Sequence, residues 1–472
     1  MKKTNNIDVI INLFLIINLA VFLIGYLKGF TKPFWIDEIF SLWLSKEIPN
    51  LQIKEIFSQD IHGAPYSILL SFLQIFFDIA HFNNEKSFFY LRLVNLVGII
   101  PIMIALKLLK KEFQNINLQL VLLLLISSYF FLYYSLELRM YFLVLSFSFL
   151  INTLNLTNNV EAKNRFLFIG TSIILSVLHV FGLTMAMSIL FYRFFINYKK
   201  KKYQNCKIDI LFSVILLALF LTNFYLATSN PSNLEAIGWI EVKLWYFGVF
   251  TRWTINTIIF ILMMSALLLY HHRSEIFKLD KIKLFFLSDF TKNILNISIP
   301  SLILVVITLL ISIKIPVLNY RNLIVVFPAG VLIAAVMSIN FLKLKFFYAA
   351  LFIFFTLLTY ININFYFKPM TKTTENIEWV IKKTYTKECE NAAVYLNDRN
   401  KESWDMMVGA AINTYAKYYR PLKRLTEFNE QEFIQEYKKY NKCKVFIASF
   451  HYDYFDTYVK ELDKYGFNLN II

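Results

Sequence analysis

Long apolar runs separated by short polar loops occupy the chain up to about residue 367. The first run extends from Val9 to Leu27, and a longer one at residues 165–197 divides around His179 and Gly182. A run of at least roughly 17 apolar residues can cross the hydrocarbon core of a bilayer as a helix. The other runs lie at residues 89–109, 117–135, 140–157, 208–228, 248–270, 294–313, 322–341 and 346–366. The pattern predicts a polytopic α-helical membrane protein with about eleven transmembrane helices.

One apolar segment, Ala64–Ala80, has a different pattern because polar residues recur along it at helical spacing. These polar residues are Ser67, Ser71, Gln74 and Asp78. We therefore expect residues 64–80 to form an interfacial helix inside a long first outer loop, residues 29–88, rather than a span.

Composition supports the membrane class, with 57% hydrophobic residues and a mean hydropathy of +0.53. The apolar run near the amino terminus follows Met-Lys-Lys and shows no small-residue cleavage site. We therefore expect an uncleaved first span, and the lipid bilayer is an obligatory partner.

The distribution of basic residues predicts the orientation. With the spans placed as above, lysine-rich loops such as Lys199–Lys202 fall on one side of the membrane, and the positive-inside rule makes that side cytoplasmic. The amino terminus is then cytoplasmic and residues from about 368 onward are extracytoplasmic. The net charge of +16 reflects this topology and contact with anionic headgroups, and we expect no nucleic-acid partner.

The tail, residues 368–472, is polar and differs from the transmembrane domain of residues 1–367. It contains two short apolar strands, "AAVYLN" and "CKVFIAS", and a helix-like "FDTYVKELDKYG" before the closing "FNLNII". We predict a small extracytoplasmic α/β domain. Cys389 and Cys443 each precede one of these strands, and an oxidising compartment permits a disulfide between them, although two unrelated thiols are the alternative.

Charged and imidazole side chains gather on the predicted outer face. Ionisable groups where a loop meets a span are costly unless they are paired or face a wet cavity, so each is a functional hypothesis. The residues are Asp37, Glu38, Asp60, His62, Arg92, Glu137, Arg139, His179, Glu235, Glu241, Arg252 and Arg321.

Six short motifs follow one another on this face. In order they are "FWIDE", "DIHGAPY", "YLRLVN", "YYSLELRMY", "HVFGL" and "LNYRNLIVVFP". Together they resemble the bacterial and protein-mannosyltransferase-like branch of the GT-C membrane glycosyltransferases, over roughly residues 8–340. The tail lies outside the resemblance.

The resemblance implies a bacterial inner-membrane enzyme that transfers a sugar from a polyprenyl-phosphate donor to an extracytoplasmic acceptor. The acceptor could be a glycolipid, a polysaccharide or a protein. The chain contains no glycine-rich phosphate loop of the Walker or Rossmann kind, which agrees with a lipid-linked donor rather than a cytoplasmic nucleotide sugar.

In this family the acidic residue of the first outer loop is the general base, and Asp37 is the matching residue. A carboxylate suits this role because the acceptor hydroxyl must lose its proton as it attacks the anomeric carbon. Direct displacement predicts inversion at that carbon. Its neighbour Glu38 points elsewhere in a helix or a strand and is expected to hold the loop.

Arg92, Arg139 and Arg321 are the candidates for binding the donor phosphate, because guanidinium pairs with phosphate oxygens through two parallel hydrogen bonds. Arg139 shares a turn-like segment with Glu137, a supporting residue. Snorkelling at the interface is the alternative for Arg92. Arg321 follows Tyr320, whereas the family position usually reads Arg-Tyr.

Asp60 and His62 share a face if the backbone is extended, so they could orient the acceptor or bind a divalent metal. Metals normally require three or more protein ligands, and spacing reveals no third. His179 could join them, or it could simply cap a span. The sequence therefore predicts no cofactor, with a divalent cation as the alternative.

Two other function classes fit the same residues. A carrier or flippase for lipid-linked sugars would also use outer-face arginines, but such carriers often have repeated halves and broken spans. A lipid-carrier glycan ligase would transfer whole glycans, yet it is not expected to carry the Asp-Glu pair in its first loop.

Overall fold

The structure is a computed structural model. It describes residues 6–30, 32, 34, 36–51, 65–76, 90–157, 162–229, 257–266, 288–313, 321–339, 345–361 and 363, and in the tail residues 394–396, 422–424, 431, 435 and 447–448.

The chain divides into two compact units. The first comprises residues 1–32, 48–81 and 86–372, and the second comprises residues 33–47, 82–85 and 373–472. Helix α2, Ile36–Glu47, therefore belongs to the second unit together with the tail. The predicted division between residues 367 and 368 stays a prediction.

The first unit is helical wherever the structure describes it, apart from short connections. Two of its segments, Arg92–Gly98 and Asn322–Val325, are 3₁₀ helices that lead directly into longer α-helices. The α-helices are α1 Asn6–Phe30, α3 Pro65–Phe76, α4 Ile99–Glu112, α5 Leu118–Ile126, α6 Tyr129–Leu136, α7 Tyr141–Leu156, α8 Ala162–Leu178, α9 Val180–Lys199, α10 Tyr203–Thr228, α11 Thr257–Ala266, α12 Asp289–Ser312, α13 Phe327–Ser338 and α14 Lys345–Ile361.

Five helices in the described part of the chain are long and apolar enough to cross a membrane. They are Asp8–Phe30, Arg92–Glu112, Val180–Lys199, Tyr203–Leu226 and Phe290–Ser312, and the α5–α6 pair makes a sixth if it counts as one span. A helix of 20 residues, such as Val180–Lys199, is about 30 Å long, which matches the hydrocarbon core. The protein is thus a helical membrane protein.

The other predicted spans coincide with shorter apolar helices. These are α7, Asn164–Leu178 within α8, α11, Asn322–Ser338 and Leu351–Ile361 within α14. Several of them adjoin residues that the structure does not describe. The count of eleven spans therefore stays a prediction.

The predicted single span at residues 117–135 is bent by 64° between α5 and α6. Ser127 and Ser128 separate the two helices. Ser128 has extended backbone angles and its Oγ accepts a hydrogen bond from the Phe131 N–H, so it caps a new helix instead of continuing the old one. Its hydroxyl and its N–H both donate to the Leu125 carbonyl at the end of α5. Side-chain caps outweigh apolar continuity here, so the run forms two helices, and its crossing of the membrane as one span stays a prediction.

Helix α7 lies at the centre of the first unit and packs against α4, α8 and α13. Nearly all of its side chains are buried, and its residues are apolar or small and polar on every side. A helix of this composition is typical of a core position. Its amino-terminal end, at Tyr141, lies next to Tyr134 near the end of α6 and to Arg321 before the 3₁₀ helix Asn322–Val325.

Helices α8, α9 and α10 form two consecutive antiparallel hairpins with very short turns. Only His179 separates α8 from α9, and Gly182 allows the close approach, since a Cβ there would lie 2.3 Å from the Leu175 carbonyl oxygen. The α9–α10 turn ends α9 with Lys201 in the left-handed region, at φ 54°. The N–H groups of Lys201 and Lys202 return to the carbonyls of Tyr198 and Asn197, as in a Schellman motif.

Helix α3 buries its polar stripe. Ser67, Ser71 and Gln74 are at most 4% exposed, whereas Phe72 and Ile75 on the other side are 61% and 64% exposed. The apolar side therefore faces outward, which suits a helix in contact with lipid. Its interfacial position stays a prediction, and Asp78 lies outside the described residues.

In the second unit, three short strands form a parallel sheet. They are β1 Val394–Leu396, β2 Leu422–Arg424 and β3 Ile447–Ala448, in the spatial order β2-β1-β3. β1 and β3 fall within the two predicted strands, and β2 was not predicted. Parallel neighbours need crossover connections of about a dozen residues or more, and the intervening stretches are long enough. The complete α/β domain stays a prediction.

Candidate functional site

Five of the polar side chains in the first unit lie where one helix ends and the next begins. We call this set the break cluster: Glu137, Arg139, Tyr141, His179 and Arg321. Glu137 and Arg139 lie between α6 and α7, and Tyr141 is the first residue of α7. His179 lies between α8 and α9, and Arg321 lies just before a 3₁₀ helix. Irregular backbone at such positions leaves N–H and carbonyl groups that charged side chains and ligands can satisfy.

The segment from Glu137 to Arg139 forms the tight turn that the sequence suggested. The Arg139 N–H donates to the Glu137 carbonyl at 2.8 Å, and Glu137 has extended angles that end α6. Both side chains are buried, with 4% and 6% exposure. A carboxylate and a guanidinium are thus held in a water-poor environment, where electrostatic interactions are stronger than at a surface.

Asn95 fixes this turn in place. Its Nδ2 donates to the carbonyls of Tyr134, Ser135 and Glu137 at 3.3, 3.2 and 2.6 Å. Its Oδ1 accepts a hydrogen bond of 3.1 Å from the Tyr66 hydroxyl on α3. One fully buried amide therefore ties α3, the 3₁₀ helix Arg92–Gly98 and the end of α6 together.

Arg92, three residues earlier on the same 3₁₀ helix, holds the end of α1. Its Nη1 donates to the carbonyls of Gly29, Phe30 and Lys32 at 2.9, 3.0 and 2.7 Å. The side chain is 1% exposed. Arg92 is thus a buried cap on the carboxyl end of α1, where a cation also opposes the negative end of the helix dipole. It is not a snorkelling surface residue.

Tyr141 connects members of the break cluster that are distant in sequence. Its ring centroid is 5.8 Å from that of His179, and the Arg321 guanidinium carbon lies 5.9 Å from the Tyr141 centroid. Tyr134 packs on the same ring at 5.0 Å. The structure therefore brings His179 and Arg321 to the end of α7 that follows Glu137 and Arg139.

His179 caps α9, the simpler of the two roles that the sequence suggested for it. Its Nδ1 accepts a hydrogen bond of 3.2 Å from the Phe181 N–H. Nδ1 therefore carries no hydrogen, and the neutral ring has its hydrogen on Nε2. The side chain is 1% exposed, so it acts inside the protein.

Asp37 and Glu38 lie in the first turn of α2, in the second unit. Acidic groups are favourable at this position because the positive end of the helix dipole is there. Glu38 is 2% exposed and shares its face with the buried Ser41, Leu42 and Ser45. Asp37 is half-buried on a more accessible face of the helix. The two carboxylates therefore have different environments.

The other predicted site residues lie outside the described residues. They are Asp60, His62, Glu235, Glu241, Arg252, Cys389 and Cys443. The acceptor or metal role of Asp60 and His62 and the disulfide of Cys389 and Cys443 stay predictions. Within the part of the chain that the structure describes, no three His, Cys, Asp or Glu residues are placed to hold a metal ion.

The sequence missed Asn95 and Tyr141 as organising residues. Both lie inside motifs that the sequence singled out, "YLRLVN" and "YYSLELRMY". An asparagine three residues after an arginine in an apolar run was a usable signal, because residues i and i+3 share a face of a 3₁₀ helix. Tyr141 carried no comparable signal in a chain with 28 tyrosines.

No protein-family model matches this chain, and no curated protein sequence matches it. The resemblance to GT-C glycosyltransferases therefore rests on the six motifs alone.

Proposed function

We propose that this protein is a membrane glycosyltransferase that moves a sugar from a polyprenyl-phosphate donor to an acceptor glycan, lipid or protein. The observation that carries the proposal is the break cluster. A buried arginine and a buried carboxylate at one helix break, Arg139 and Glu137, are expensive in a membrane protein unless a polar ligand or chemistry requires them. The proposal includes eleven spans, a cytoplasmic amino terminus and an extracytoplasmic tail.

Arg139 and Arg321 are the proposed contacts to the donor phosphate. Arg139 is buried beside irregular backbone, and Arg321 lies over Tyr141. A guanidinium remains charged at any relevant pH and can form parallel hydrogen bonds to phosphate oxygens. We assign Arg92 a positioning role instead, since its Nη1 already donates to three carbonyls at the end of α1.

Asp37 is the proposed general base. Its carboxylate takes the proton of the acceptor hydroxyl while that oxygen forms a bond to the anomeric carbon. The bond between the anomeric carbon and the phosphate oxygen breaks, and the polyprenyl phosphate leaves with the electron pair. A positive charge that binds the departing phosphate stabilises it, so no acid is required. Glu38 is buried, which supports assigning the role of general base to the more accessible Asp37.

Asp37→Asn tests this assignment. Asparagine keeps the size and hydrogen-bonding reach but cannot accept the proton, so transfer should fall by about two to four orders of magnitude. The measurement is conversion of radiolabelled polyprenyl-phosphate sugar to a covalent product by membrane vesicles that contain equal amounts of protein.

Asp8→Asn is the matched control. Asp8 is exposed at the start of α1 and accepts one hydrogen bond from Asn117, which an asparagine can still accept. Transfer by this variant should equal that of the wild type. Near-normal transfer by Asp37→Asn would contradict its role as general base, and Glu38 and Asp60 would then be the remaining candidates for that role.

A carrier for lipid-linked sugars is the second candidate, and one observation favours it. The α5–α6 pair is bent by 64°, although α12 continues through Pro300 as one helix. Broken helices occur at the substrate sites of transporters. Proteoliposomes separate the two functions, because a carrier moves the labelled donor across the bilayer without forming a new covalent product.

A further inference from the structure

The opposite ends of α8, α9 and α10 form a second charged site, far from His179 along each helix. One face of each helix lines a small crevice there. The lining includes Arg165 and Phe168 from α8, Arg193 from α9, and Asn205 and Asp209 from α10. This crevice does not use any residue of the break cluster.

The charges in the crevice do not balance. Arg193 Nε lies 4.0 Å from Asp209 Oδ1, and the Arg193 guanidinium stacks on the Phe168 ring at 4.5 Å. Asp209 also accepts a hydrogen bond of 2.9 Å from Asn197. Among the described residues that line the crevice, two guanidinium groups thus share one carboxylate.

Arg165 carries the excess charge. Its Nη2 donates one hydrogen bond, of 3.3 Å, to Asn205 Oδ1, a neutral acceptor. Its remaining N–H groups have no other acceptor among the described residues, and the side chain is half-buried. Two partly desolvated cations that share one carboxylate leave an excess positive charge, so an added anion would be stabilising.

The position of the crevice indicates what that anion is. Arg165 and Asp209 are three and six residues from the starts of their helices, so they lie about 5 to 9 Å below the helix ends. That depth corresponds to the headgroup region of a bilayer. The adjoining exposed surface of α10 is apolar, with Leu211 58% and Val214 57% exposed, and can contact acyl chains.

We propose that this crevice binds the phosphate of an anionic phospholipid in the leaflet at the lysine-rich end of the helices. The phosphate lies at the mouth of the crevice and accepts hydrogen bonds from Arg165, while Arg193 contributes charge from behind. The exposed Lys199–Lys202 attract anionic lipid to this surface but do not define the site. The proposal is independent of glycosyl transfer.

Native mass spectrometry of the purified full chain in neutral detergent tests the proposal. The protein is titrated with phosphatidylglycerol and, separately, with phosphatidylcholine of the same acyl chains. Preferential retention of phosphatidylglycerol is expected, and equal retention of both lipids would overturn the proposal.

Arg165→Gln should lower retention of phosphatidylglycerol about fivefold, while the glutamine amide can still donate to Asn205. Lys200→Gln is the matched control, because it removes one exposed positive charge from the same end. An equal loss in both variants would show general attraction to the lysine-rich surface and would overturn a defined site.

Asp209→Asn should raise retention, because it removes the carboxylate that competes with lipid phosphate for the guanidinium groups. Damage to folding cannot produce a gain of this kind, so an unchanged or lower retention with intact protein would contradict the proposal. Displacement of phosphatidylglycerol by inorganic phosphate would assign the crevice to a free anion and overturn the lipid assignment.

Discussion

The two ends of the helices in the first unit hold their charged side chains in different local structures. At the end with His179, the break cluster lies on irregular backbone between helices, and its members are mostly buried. At the other end, Arg165, Arg193 and Asp209 project from regular helices beside exposed lysines. Charged residues on regular helix ends can contact lipid headgroups. Irregular backbone between helices can instead bring side chains from several helices to one place.

The difference extends to how each end is supported. Near the break cluster, Asn95 and Arg92 each hold several backbone carbonyls from other segments. At the lysine-rich end, Asn155 makes a single such bond, to the Asn296 carbonyl at 2.6 Å. Buried hydrogen bonds therefore hold the backbone more firmly at the end with the break cluster than at the lysine-rich end.

The largest expected effect tests this difference in support. Asn95→Ala leaves three buried carbonyls and the Tyr66 hydroxyl without their shared partner, so the free energy of unfolding should fall by about 3 kcal/mol. Thermal unfolding in mild detergent measures the loss. Asn155→Ala removes one bond and should cost about 1 kcal/mol. Equal losses in the two variants would remove the distinction between the ends.

A smaller effect is expected on donor binding. Arg139→Ala removes the proposed charge-assisted hydrogen bond to the donor phosphate, so donor affinity should weaken by about 2 kcal/mol, roughly 30-fold. Binding of labelled polyprenyl-phosphate sugar to detergent-solubilised protein measures it. Asp8→Asn, the control at the other end, should bind the donor normally. Unchanged affinity in Arg139→Ala would leave Arg321 as the phosphate contact.

His179→Ala should lower the free energy of unfolding by about 1 kcal/mol, because α9 loses its amino-terminal cap. Asparagine is a good cap, so His179→Asn should restore stability in the same thermal assay. The comparison also sharpens the role of the imidazole. If His179 only caps, the asparagine variant regains transfer activity as well, and a stable but inactive variant would point to a direct role.

The smallest effect concerns the turn between α9 and α10. Lys201 has a positive φ that a glycine adopts without steric cost. Because glycine also gains backbone freedom in the unfolded chain, Lys201→Gly should raise the free energy of unfolding by only about 0.5 kcal/mol. Its neighbour Lys200 has φ −83°, and Lys200→Gly should be slightly destabilising. A loss of stability in Lys201→Gly would show that the lysine side chain contributes more than the strain costs.

Much of the helical architecture follows from local sequence. Apolar run length predicted where α1, α4, α9, α10 and α12 would lie, because a bilayer-length apolar helix satisfies its own backbone hydrogen bonds. The turn between Glu137 and Arg139 and the hairpin at His179 were also visible, since polar residues interrupt the runs there. Strands β1 and β3 fell within short apolar stretches of the tail.

Other features depend on contacts between residues distant in sequence. No local pattern indicated that Arg92 would cap α1, 60 or more positions away, or that Asn95 would hold a turn about 40 residues later. The strand β2, "LKR", lacks an apolar pattern and exists only by pairing with β1. The break at Ser127 and Ser128 had a local signal, but the apolar residues on both sides concealed it.

The sequence by itself determined the class of the protein, the approximate position of its helices and the residue types available for chemistry. Hydrophobic run length and charge asymmetry are local properties, so they can be read without a fold. The tertiary structure alone decided that Arg92 is a cap, that Tyr141 joins His179 and Arg321, and that Arg165 and Arg193 share one carboxylate. These roles depend on which helix ends meet, and packing of whole helices rather than any local pattern sets that arrangement.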